Sequence, residues 1–281
     1  MTTRLYQYNL PVASRNWQTR EGLILQWNDG WGEIAPLPGF SKETFEEAKA
    51  EILSLLPHLE TAQPKLPSVR FGLSSAKRPL QSVHLPLCAL GERDGFSTIK
   101  LKLGHLPLDE AIALVQRTHR HYRLRLDCNR SWTLAQALEF ARHFKPNDFE
   151  YLEEPVRTFD ELMEFSRITG LPIAVDESVR DAAAWQKLPS LKAVVVKPTV
   201  IGEIPQIPPG LELVLSSSYE SGLGLLHIAA LSKGTLPIGL DTYRALQDDI
   251  LTEPIDCSSG FFSWQLTDSP INISKLCQIA P

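Results

Sequence analysis

The sequence predicts an α/β fold in which a parallel β-barrel is joined to a smaller α+β domain. From Gln81 onward, short runs rich in β-branched residues recur, and each is followed by a helical pattern or a connecting loop. Strands that alternate with helices pair in parallel, and this many units favour a closed barrel over an open sheet. The 281 residues are enough for a barrel with one accessory domain.

The N-terminal segment is predicted to form the α+β domain over residues 1–80. Strand-like runs occupy residues 5–10 and 23–27, and a helical pattern extends over residues 42–56. Ser41 precedes this pattern and is predicted to be the N-cap of the helix, because its hydroxyl can accept from a backbone N–H of the first turn.

The barrel domain is predicted over residues 81–245. Its strands are expected at residues 98–103, 124–129, 151–155, 173–178, 193–198, 211–218 and 239–242, with a weaker candidate at 83–88. Helices are expected at residues 108–121, 133–143 and 159–169. The 199–210 connection contains three prolines, so its crossover helix is expected to be missing or reduced to a turn. Residues 246–281 lack this alternation and are expected to return to the N-terminal domain.

Charged and polar residues stand near the C-terminal ends of five predicted strands, the edge where parallel barrels form active sites. They are Lys100 and Lys102, Asp127 and Asn129, Glu153 and Glu154, Asp176 and Glu177, and Lys197. Side chains two positions apart on a strand share a face, so Lys100 and Lys102 are expected to point the same way. Successive members are 21 to 26 residues apart, which is about one βα unit.

Carboxylates that converge at such a rim require a cation among them. At an effective dielectric constant of ~20, two like charges about 4 Å apart repel each other by about 4 kcal/mol. The strands offer oxygen ligands and no His or Cys at matching positions, which favours a hard ion. Magnesium suits a site with few carboxylates and additional substrate oxygens, so we expect Mg²⁺, with Mn²⁺ as a substitute.

Five motifs in this order resemble the enolase superfamily: Lys-x-Lys, Asp-x-Asn, Glu-Glu-Pro, Asp-Glu-Ser and Lys-Pro-Thr, over about residues 98–200. Four further segments are similar to its o-succinylbenzoate synthase family, namely residues 30–40 (GWGEIAPLPGF), 124–132 (LRLDCNRSW), 216–221 (SSSYES) and 239–242 (GLDT). The resemblance implies a modified TIM barrel, (β/α)7β-like, with an α+β capping domain built from the N-terminus and the C-terminal tail.

The resemblance also implies a role for each motif residue. The implied metal ligands are Asp127, Glu153 and Asp176. Glu153 is preferred to Glu154 because the family varies the residue directly before the proline. Lys102 is implied as the base and Lys197 as the lysine on the opposite face of the substrate. Substrate binding or support of the site is implied for Lys100, Asn129, Ser216, Ser217, Gly239 and Leu240.

The implied reaction is the metal-dependent syn-dehydration of 2-succinyl-6-hydroxy-2,4-cyclohexadiene-1-carboxylate to 2-succinylbenzoate in menaquinone biosynthesis. A lysine base would remove the α-proton, and magnesium would stabilise the enediolate. The same motifs permit N-acylamino acid racemase or dipeptide epimerase activity, which uses two lysines on opposite faces of one carbon. A Schiff-base aldolase using Lys197 would leave the carboxylates unexplained. A non-catalytic barrel that binds anions is the alternative from another class.

Composition and charge exclude other classes of function. The net charge of −5 is spread along the chain, so no basic footprint indicates nucleic acid or an anionic membrane. The first residues show no apolar signal segment, and no stretch approaches the ~18 apolar residues of a membrane span. The four cysteines contain no CxxC pair and are expected to be reduced. We expect a cytoplasmic monomer that acts on a small carboxylate.

Overall fold

A computed structural model of the chain describes residues 2–14 and 17–281. Met1, Arg15 and Asn16, which fall in the predicted first domain, lie outside the described residues. The strands are β1 (Thr3–Pro11), β2 (Thr19–Trp27), β3 (Gly30–Ile34), β4 (Val83–Pro86), β5 (Ala89–Leu90), β6 (Thr98–Lys102), β7 (Arg123–Asp127), β8 (Tyr151–Glu153), β9 (Ile173–Val175), β10 (Leu191–Val196), β11 (Glu212–Leu215), β12 (Phe261–Trp264) and β13 (Cys277–Ala280).

The helices alternate with the strands through the middle of the chain. They are α1 (Phe45–Leu55), α2 (Pro67–Ala76), α3 (Leu108–Thr118), α4 (Leu134–Ala141), α5 (Phe159–Thr169), α6 (Ala182–Trp185), α7 (Pro198–Ile201) and α8 (Gly222–Ala229). Short 3-10 helices occupy Leu56–His58, Glu177–Arg180, Asp241–Ala245 and Ile273–Lys275. Among the described residues, no helix combines the length and the apolar character needed to cross a bilayer.

The chain forms two compact units, and their boundaries differ from the domain ranges that the sequence predicts. The first contains Met1–Pro86, Lys197–Ile204 and Leu215–Pro281, and the second contains Leu87–Val196 and Pro205–Val214. The domain ranges 1–80, 81–245 and 246–281 describe the chain on a different basis and stay a prediction.

An antiparallel sheet of order β13-β1-β2-β3 organises the first unit. One face carries Leu5, Leu23, Leu25 and Ile34, which pack with residues of α1 and α2 into a buried core. β13 pairs with β1, so the C-terminal tail returns to the N-terminal sheet as expected. The tail therefore completes the sheet that the first residues begin.

Helix α1 begins at Phe45, three residues later than a cap at Ser41 would place it, so the assignment of Ser41 was wrong. Thr44 is the N-cap: its side chain accepts from Glu47 N, and the Glu47 side chain accepts from Thr44 N. This reciprocal pair satisfies two backbone donors that the first turn leaves open. Ser41 instead accepts a hydrogen bond from Leu37 N at 2.9 Å and stabilises the turn before the helix.

A seven-stranded sheet of order β11-β10-β9-β8-β7-β6-β5 forms the framework of the second unit. Of strand β11, the first three residues belong to this unit. The pairs from β5 through β10 are parallel. The residues of β8 and β9 and the last four residues of β10 are buried, as expected for strands covered on both faces. This is the parallel, barrel-type α/β sheet that the sequence predicts.

Two of the runs predicted as barrel strands do not form strands of the parallel sheet. The run at 83–88 does not enter the parallel sheet, because β4 pairs antiparallel with β12, and β5 is the edge strand instead. The run at 239–242 contributes one bridge between Gly239 and Ser216 before a 3-10 helix begins at Asp241. Short apolar runs indicate extended structure, but they do not specify which strand they pair with. The proline-rich connection was predicted correctly, since α7 is only four residues long.

Candidate active site

The ends of three neighbouring strands carry the first group of predicted site residues in register. Lys102 of β6 is paired with Asp127 of β7, and Asp127 is paired with Glu153 of β8. Because paired residues of adjacent parallel strands lie side by side, their side chains leave the sheet at the same level. Asp176 directly follows β9, the next strand in the sheet.

Two lysines contact these carboxylates. The ammonium of Lys100 donates to both carboxylate oxygens of Glu153 at 2.9 and 2.8 Å and lies 2.7 Å from Asp127 Oδ2. Lys102 Nζ donates to Asp127 Oδ2 at 2.5 Å and to Asn129 Oδ1 at 2.9 Å. The two lysines therefore project from the same face of β6, as the alternation of side chains predicts.

Burial and mutual repulsion dominate the electrostatics of the carboxylates. Burial, and then the charges of Asp127 and Asp176, raise the pKa of Glu153 to about 8, although Lys100 opposes the shift. Burial would also raise the pKa of Asp127, but the charges of Lys100 and Lys102 hold it well below its usual range. Burial would lower the pKa of Lys100, whereas Glu153 and Asp127 raise it well above its ordinary value. The cluster is stable only with cationic charge inside it.

The donor set fits a hard divalent cation. The side chains of Asp127 and Glu153 are fully buried, and Asp176 is nearly so, which is costly for carboxylates without a cation. Among the described residues, no three Asp, Glu, His or Cys side chains are already arranged as a metal cluster. The Lys100 ammonium provides positive charge between Asp127 and Glu153 instead. Asp127, Glu153 and Asp176 would be the residues to hold magnesium, through oxygen ligands alone.

Tight turns after β7 and β8 fix the carboxylates. Asn129 and Glu154 have φ angles of 44° and 40°, in the left-handed region that non-glycine residues rarely adopt. The turn lets Asn129 N donate to Asp127 Oδ1 at 2.9 Å, which orients that carboxylate. Strained backbone of this kind persists only where the surrounding structure holds it, and it clusters at functional sites.

Glu154 is a structural residue of the site. Its carboxylate accepts hydrogen bonds from Asp176 N at 3.2 Å and Ser178 N at 2.7 Å, and Arg130 Nε donates to it at 3.1 Å. It therefore connects the turn after β7 with the segment after β9. Glu177 lies nearby and accepts from Asn129 Nδ2 at 3.3 Å.

The second group of predicted residues belongs to the other compact unit. Ser217 Oγ donates to Gly239 O at 3.1 Å and lies 2.7 Å from Thr242 Oγ1, and Ser216 Oγ donates to Gly239 O at 3.4 Å. Gly239 N donates to Leu215 O at 2.8 Å, so this N–H is already used within the protein. Leu240 is fully buried. The hydroxyls of Ser216, Ser217 and Thr242 are therefore polar groups of this cluster that can exchange partners.

Lys197 directly follows β10 and is the N-cap residue of α7. Its ammonium lies 5.7 Å from the ring centroid of Phe40, at cation–π distance. Phe40 ends the GWGEIAPLPGF segment, which resembles the o-succinylbenzoate synthase family. The contact brings a predicted catalytic lysine and this segment together within one unit.

Two buried residues that hold the loops of this unit were missed at the sequence level. Arg20 of β2 and Glu33 of β3 are each at most 3% exposed. Neither lies at the end of a barrel strand, so the pattern that revealed the carboxylates could not reveal them. Glu33 stands inside a recognisable motif, which was the available signal.

Comparisons with known proteins show the family of this chain. The family described as "MenC, N-terminal domain" matches residues 1–80, and "Enolase C-terminal domain-like" matches residues 87–202. The o-succinylbenzoate synthase of Salmonella dublin is 36% identical over 88% of this chain and 92% of its own length. The chain belongs to the o-succinylbenzoate synthase family.

Two solved structures resemble the structure of this chain. The o-succinylbenzoate synthase from Thermosynechococcus elongatus BP-1, complexed with magnesium in its active site, has a TM-score of 0.71 and 25% identity. That match covers 88% of this chain and 94% of the other. The dipeptide epimerase from Enterococcus faecalis V583 has a TM-score of 0.74 at 18% identity, covering 94% and 97% of the two chains. The second likeness shows a shared fold.

Proposed function

We propose that this chain catalyses the dehydration of 2-succinyl-6-hydroxy-2,4-cyclohexadiene-1-carboxylate to 2-succinylbenzoate, a step of menaquinone biosynthesis. The observation that carries the proposal is the 36% identity to an o-succinylbenzoate synthase over 88% of the chain. The lysine–carboxylate cluster lies within residues 87–202, which match the "Enolase C-terminal domain-like" family. The catalysed reaction is a carbon–oxygen bond cleavage, and the enzyme is a lyase.

The substrate determines which groups the site must provide. The proton to be removed is on the carbon that carries the ring carboxylate, and it is a weak acid because its removal places a second negative charge on that carboxylate group. A hydroxide must then leave from the neighbouring carbon, and the ring becomes aromatic. One base that takes the proton and then returns it to the departing oxygen completes the loss of water.

Lys102 is the proposed base. Nearly half of its side chain is exposed, whereas Lys100 is mostly buried between two carboxylates. Lys102 Nζ is held by Asp127 and Asn129, so its position is fixed while its end is reachable. In the proposed sequence, Lys102 accepts the α-proton and then donates it to the leaving hydroxyl. A syn elimination requires that both transfers occur on one face, as a single lysine allows.

Magnesium held by Asp127, Glu153 and Asp176 would supply positive charge that stabilises the negative charge developing on the substrate carboxylate. Lys100 is proposed to keep positive charge beside Asp127 and Glu153, and Asn129 to orient Lys102. Lys197 is proposed to remain an ammonium and to stabilise the anionic intermediate. Use of Mn²⁺ in place of magnesium, the cytoplasmic location and the monomeric state remain predictions.

Ser216 and Ser217 are proposed to bind a substrate carboxylate through their hydroxyl groups, which now donate to one backbone carbonyl. Gly239 is proposed to support them by accepting those hydrogen bonds, and the buried Leu240 to fix the segment. The loop at residues 36–40 is proposed to contact the succinyl tail. These roles follow from the resemblance and from the contacts within this unit.

Replacement of the proposed base tests the assignment. Lys102→Ala should lower kcat by about 10² to 10⁴-fold, the usual contribution of a positioned general acid–base group. The conversion is followed by the ultraviolet absorbance of the aromatic product. Lys192→Ala is the matched control, because Lys192 is an exposed lysine of β10 that pairs with Glu212. Near-normal turnover by Lys102→Ala would refute the role of Lys102.

A further inference from the structure

Arg20 connects three segments of the first unit through its guanidinium group. Its hydrogen bonds to described residues all end on backbone carbonyl oxygens: Glu21 O at 3.0 Å, Pro36 O at 2.8 Å, Ala35 O, and Tyr219 O at 3.1 Å. The residue is 3% exposed, so these bonds replace the water that a guanidinium otherwise binds. A buried planar cation with several donors fixes the relative positions of its acceptors.

The two segments outside β2 that accept hydrogen bonds from Arg20 adjoin the two groups of residues that are proposed to bind substrate. Ala35 and Pro36 lead into the loop proposed for the succinyl tail. Tyr219 follows Ser216 and Ser217, which are proposed for a carboxylate. Arg20 and Tyr219 are 199 residues apart in sequence, and one side chain thus joins the two proposed binding segments.

Glu33 holds the serine segment at a second point. Its buried carboxylate accepts from Ser221 N at 3.0 Å and from Ser221 Oγ at 2.7 Å, and the Tyr8 hydroxyl also donates to it. A Cβ at Gly224 would lie 2.3 Å from Glu33 Oε2, so the first turn of α8 approaches this carboxylate as only glycine allows. The segment is therefore anchored at residues 219 and 221, on either side of one position.

The backbone at Tyr219, the first of these anchors, has an unfavourable conformation that needs stabilising contacts. Tyr219 has a φ of 60°, a left-handed conformation that is costly for a residue with a side chain. Its ring contacts Trp17, with centroids 5.5 Å apart, and its carbonyl accepts from Arg20. Loss of the Arg20 side chain would remove the hydrogen bond that holds this carbonyl in place.

We propose that Arg20 is a positioning residue for substrate binding, which sets the distance between the start of the loop at 36–40 and the serine segment at 216–221. The inference rests on the proposed function, because it assigns substrate contacts to both segments. Arg20 itself reaches no proposed reacting atom. It should therefore act on the affinity for the substrate and leave the chemical step largely unchanged.

The test compares Arg20→Lys and Arg20→Ala with the wild type. Lysine keeps the charge but lacks the planar fork, so it cannot hold carbonyls of all three segments at once. Loss of binding shared by ground state and transition state raises KM and leaves kcat unchanged. We expect Arg20→Lys to raise KM about tenfold, about the effect of one charged hydrogen bond, with kcat within about twofold of the wild type.

Two further readouts separate positioning from a general loss of stability. The dissociation constant of 2-succinylbenzoate, measured by calorimetry, should rise in parallel with KM. Added ethylguanidinium should restore part of the affinity of Arg20→Ala, because it can occupy the vacated space. Val69→Ala is the control: it removes core volume from the same unit, so it should lower the unfolding temperature without raising KM.

Each outcome decides the inference. A raised KM with partial rescue supports it, whereas an unchanged KM in folded Arg20→Lys overturns it and leaves the proposed function intact. If both variants fail to fold, Arg20 serves the fold itself and the positioning role is rejected. Absence of turnover by the wild type overturns the proposed function, and this inference with it.

Discussion

The chemistry of this protein depends on charges that the fold brings together in a buried place. Asp127 and Glu153 share one ammonium, that of Lys100, and Asp127 also accepts from Lys102. A buried carboxylate without a cation costs several kcal/mol, so the lysines and the proposed metal have a structural as well as a chemical reason to be there. The row of strand-end residues could be predicted from sequence, because parallel strands end at one edge.

Magnesium binding is the first prediction at the scale of residues. If Asp127, Glu153 and Asp176 hold the ion, magnesium binds the folded chain and stabilises it by RT ln(1 + [L]/Kd), or about 2.7 kcal/mol at one hundred times Kd. Thermal unfolding should shift upward with magnesium in the wild type and in the control Glu164→Gln, an exposed carboxylate of α5. An equal shift in Asp127→Asn would contradict the ligand assignment.

The second residue-scale prediction concerns His227, which is buried in the first unit. Its Nε2 atom lies 2.7 Å from the carbonyl oxygen of Trp31. Burial, and then the charge of Arg78, lower its pKa to about 4. Since the unfolded chain has a histidine pKa of about 6.5, protons bind the unfolded state first as the pH falls. The contribution of neutral His227 to the free energy of unfolding is therefore fully present above about pH 6.5 and is lost as the pH falls toward 4.

Between about pH 7.5 and pH 5, the wild type should lose about 2 kcal/mol more unfolding free energy than His227→Gln. Glutamine can still donate to Trp31 O but does not titrate. Urea unfolding at the two pH values measures the difference. Equal losses in both proteins would show that His227 is not excluded from protonation in the folded state.

At the scale of elements, local signals predicted what local interactions determine. Helix α5 was predicted at its observed bounds, because the Thr158–Glu161 capping box starts it and Gly170, with a φ of 60°, ends it. Thr44 and Glu47 form the same capping box at the start of α1, but the N-cap was predicted at Ser41. Predicted barrel strands extended one to three residues too far, since residues such as Asn129 and Glu154 turn the chain directly after the carboxylates.

The contact between β3 and α2 yields a prediction at this scale. A Cβ at Gly32 would lie 2.0 Å from Gly72 O and 2.9 Å from Ala76 N, both backbone atoms of α2. Backbone cannot yield as a flexible side chain can, so Gly32→Ala should cost about 3 kcal/mol, the upper end of overpacking effects. Ser74→Ala on the exposed side of α2 is the control, and both are compared by urea unfolding. Similar midpoints would mean that the two elements can separate without loss.

At the scale of the whole molecule, the similarity to the o-succinylbenzoate synthase family extends over 88% of the chain and so includes residues of both compact units. The strand-end residues were predictable from their repeated spacing. The contacts of Arg20 with Tyr219 and of Glu33 with Ser221 were not, because the partners lie almost 200 residues apart in sequence and no local pattern encodes such a contact. The fold by itself does not separate dehydration from epimerisation, since the epimerase shares it.

The most direct test of the central claim is the ultraviolet-monitored conversion of 2-succinyl-6-hydroxy-2,4-cyclohexadiene-1-carboxylate by the purified wild type, with magnesium and with a chelator. The account predicts formation of 2-succinylbenzoate that requires magnesium. An N-acylamino acid and a dipeptide are supplied in parallel and assayed for epimerisation. No aromatic product from folded protein supplied with magnesium, together with epimerisation of either second substrate, would contradict the account.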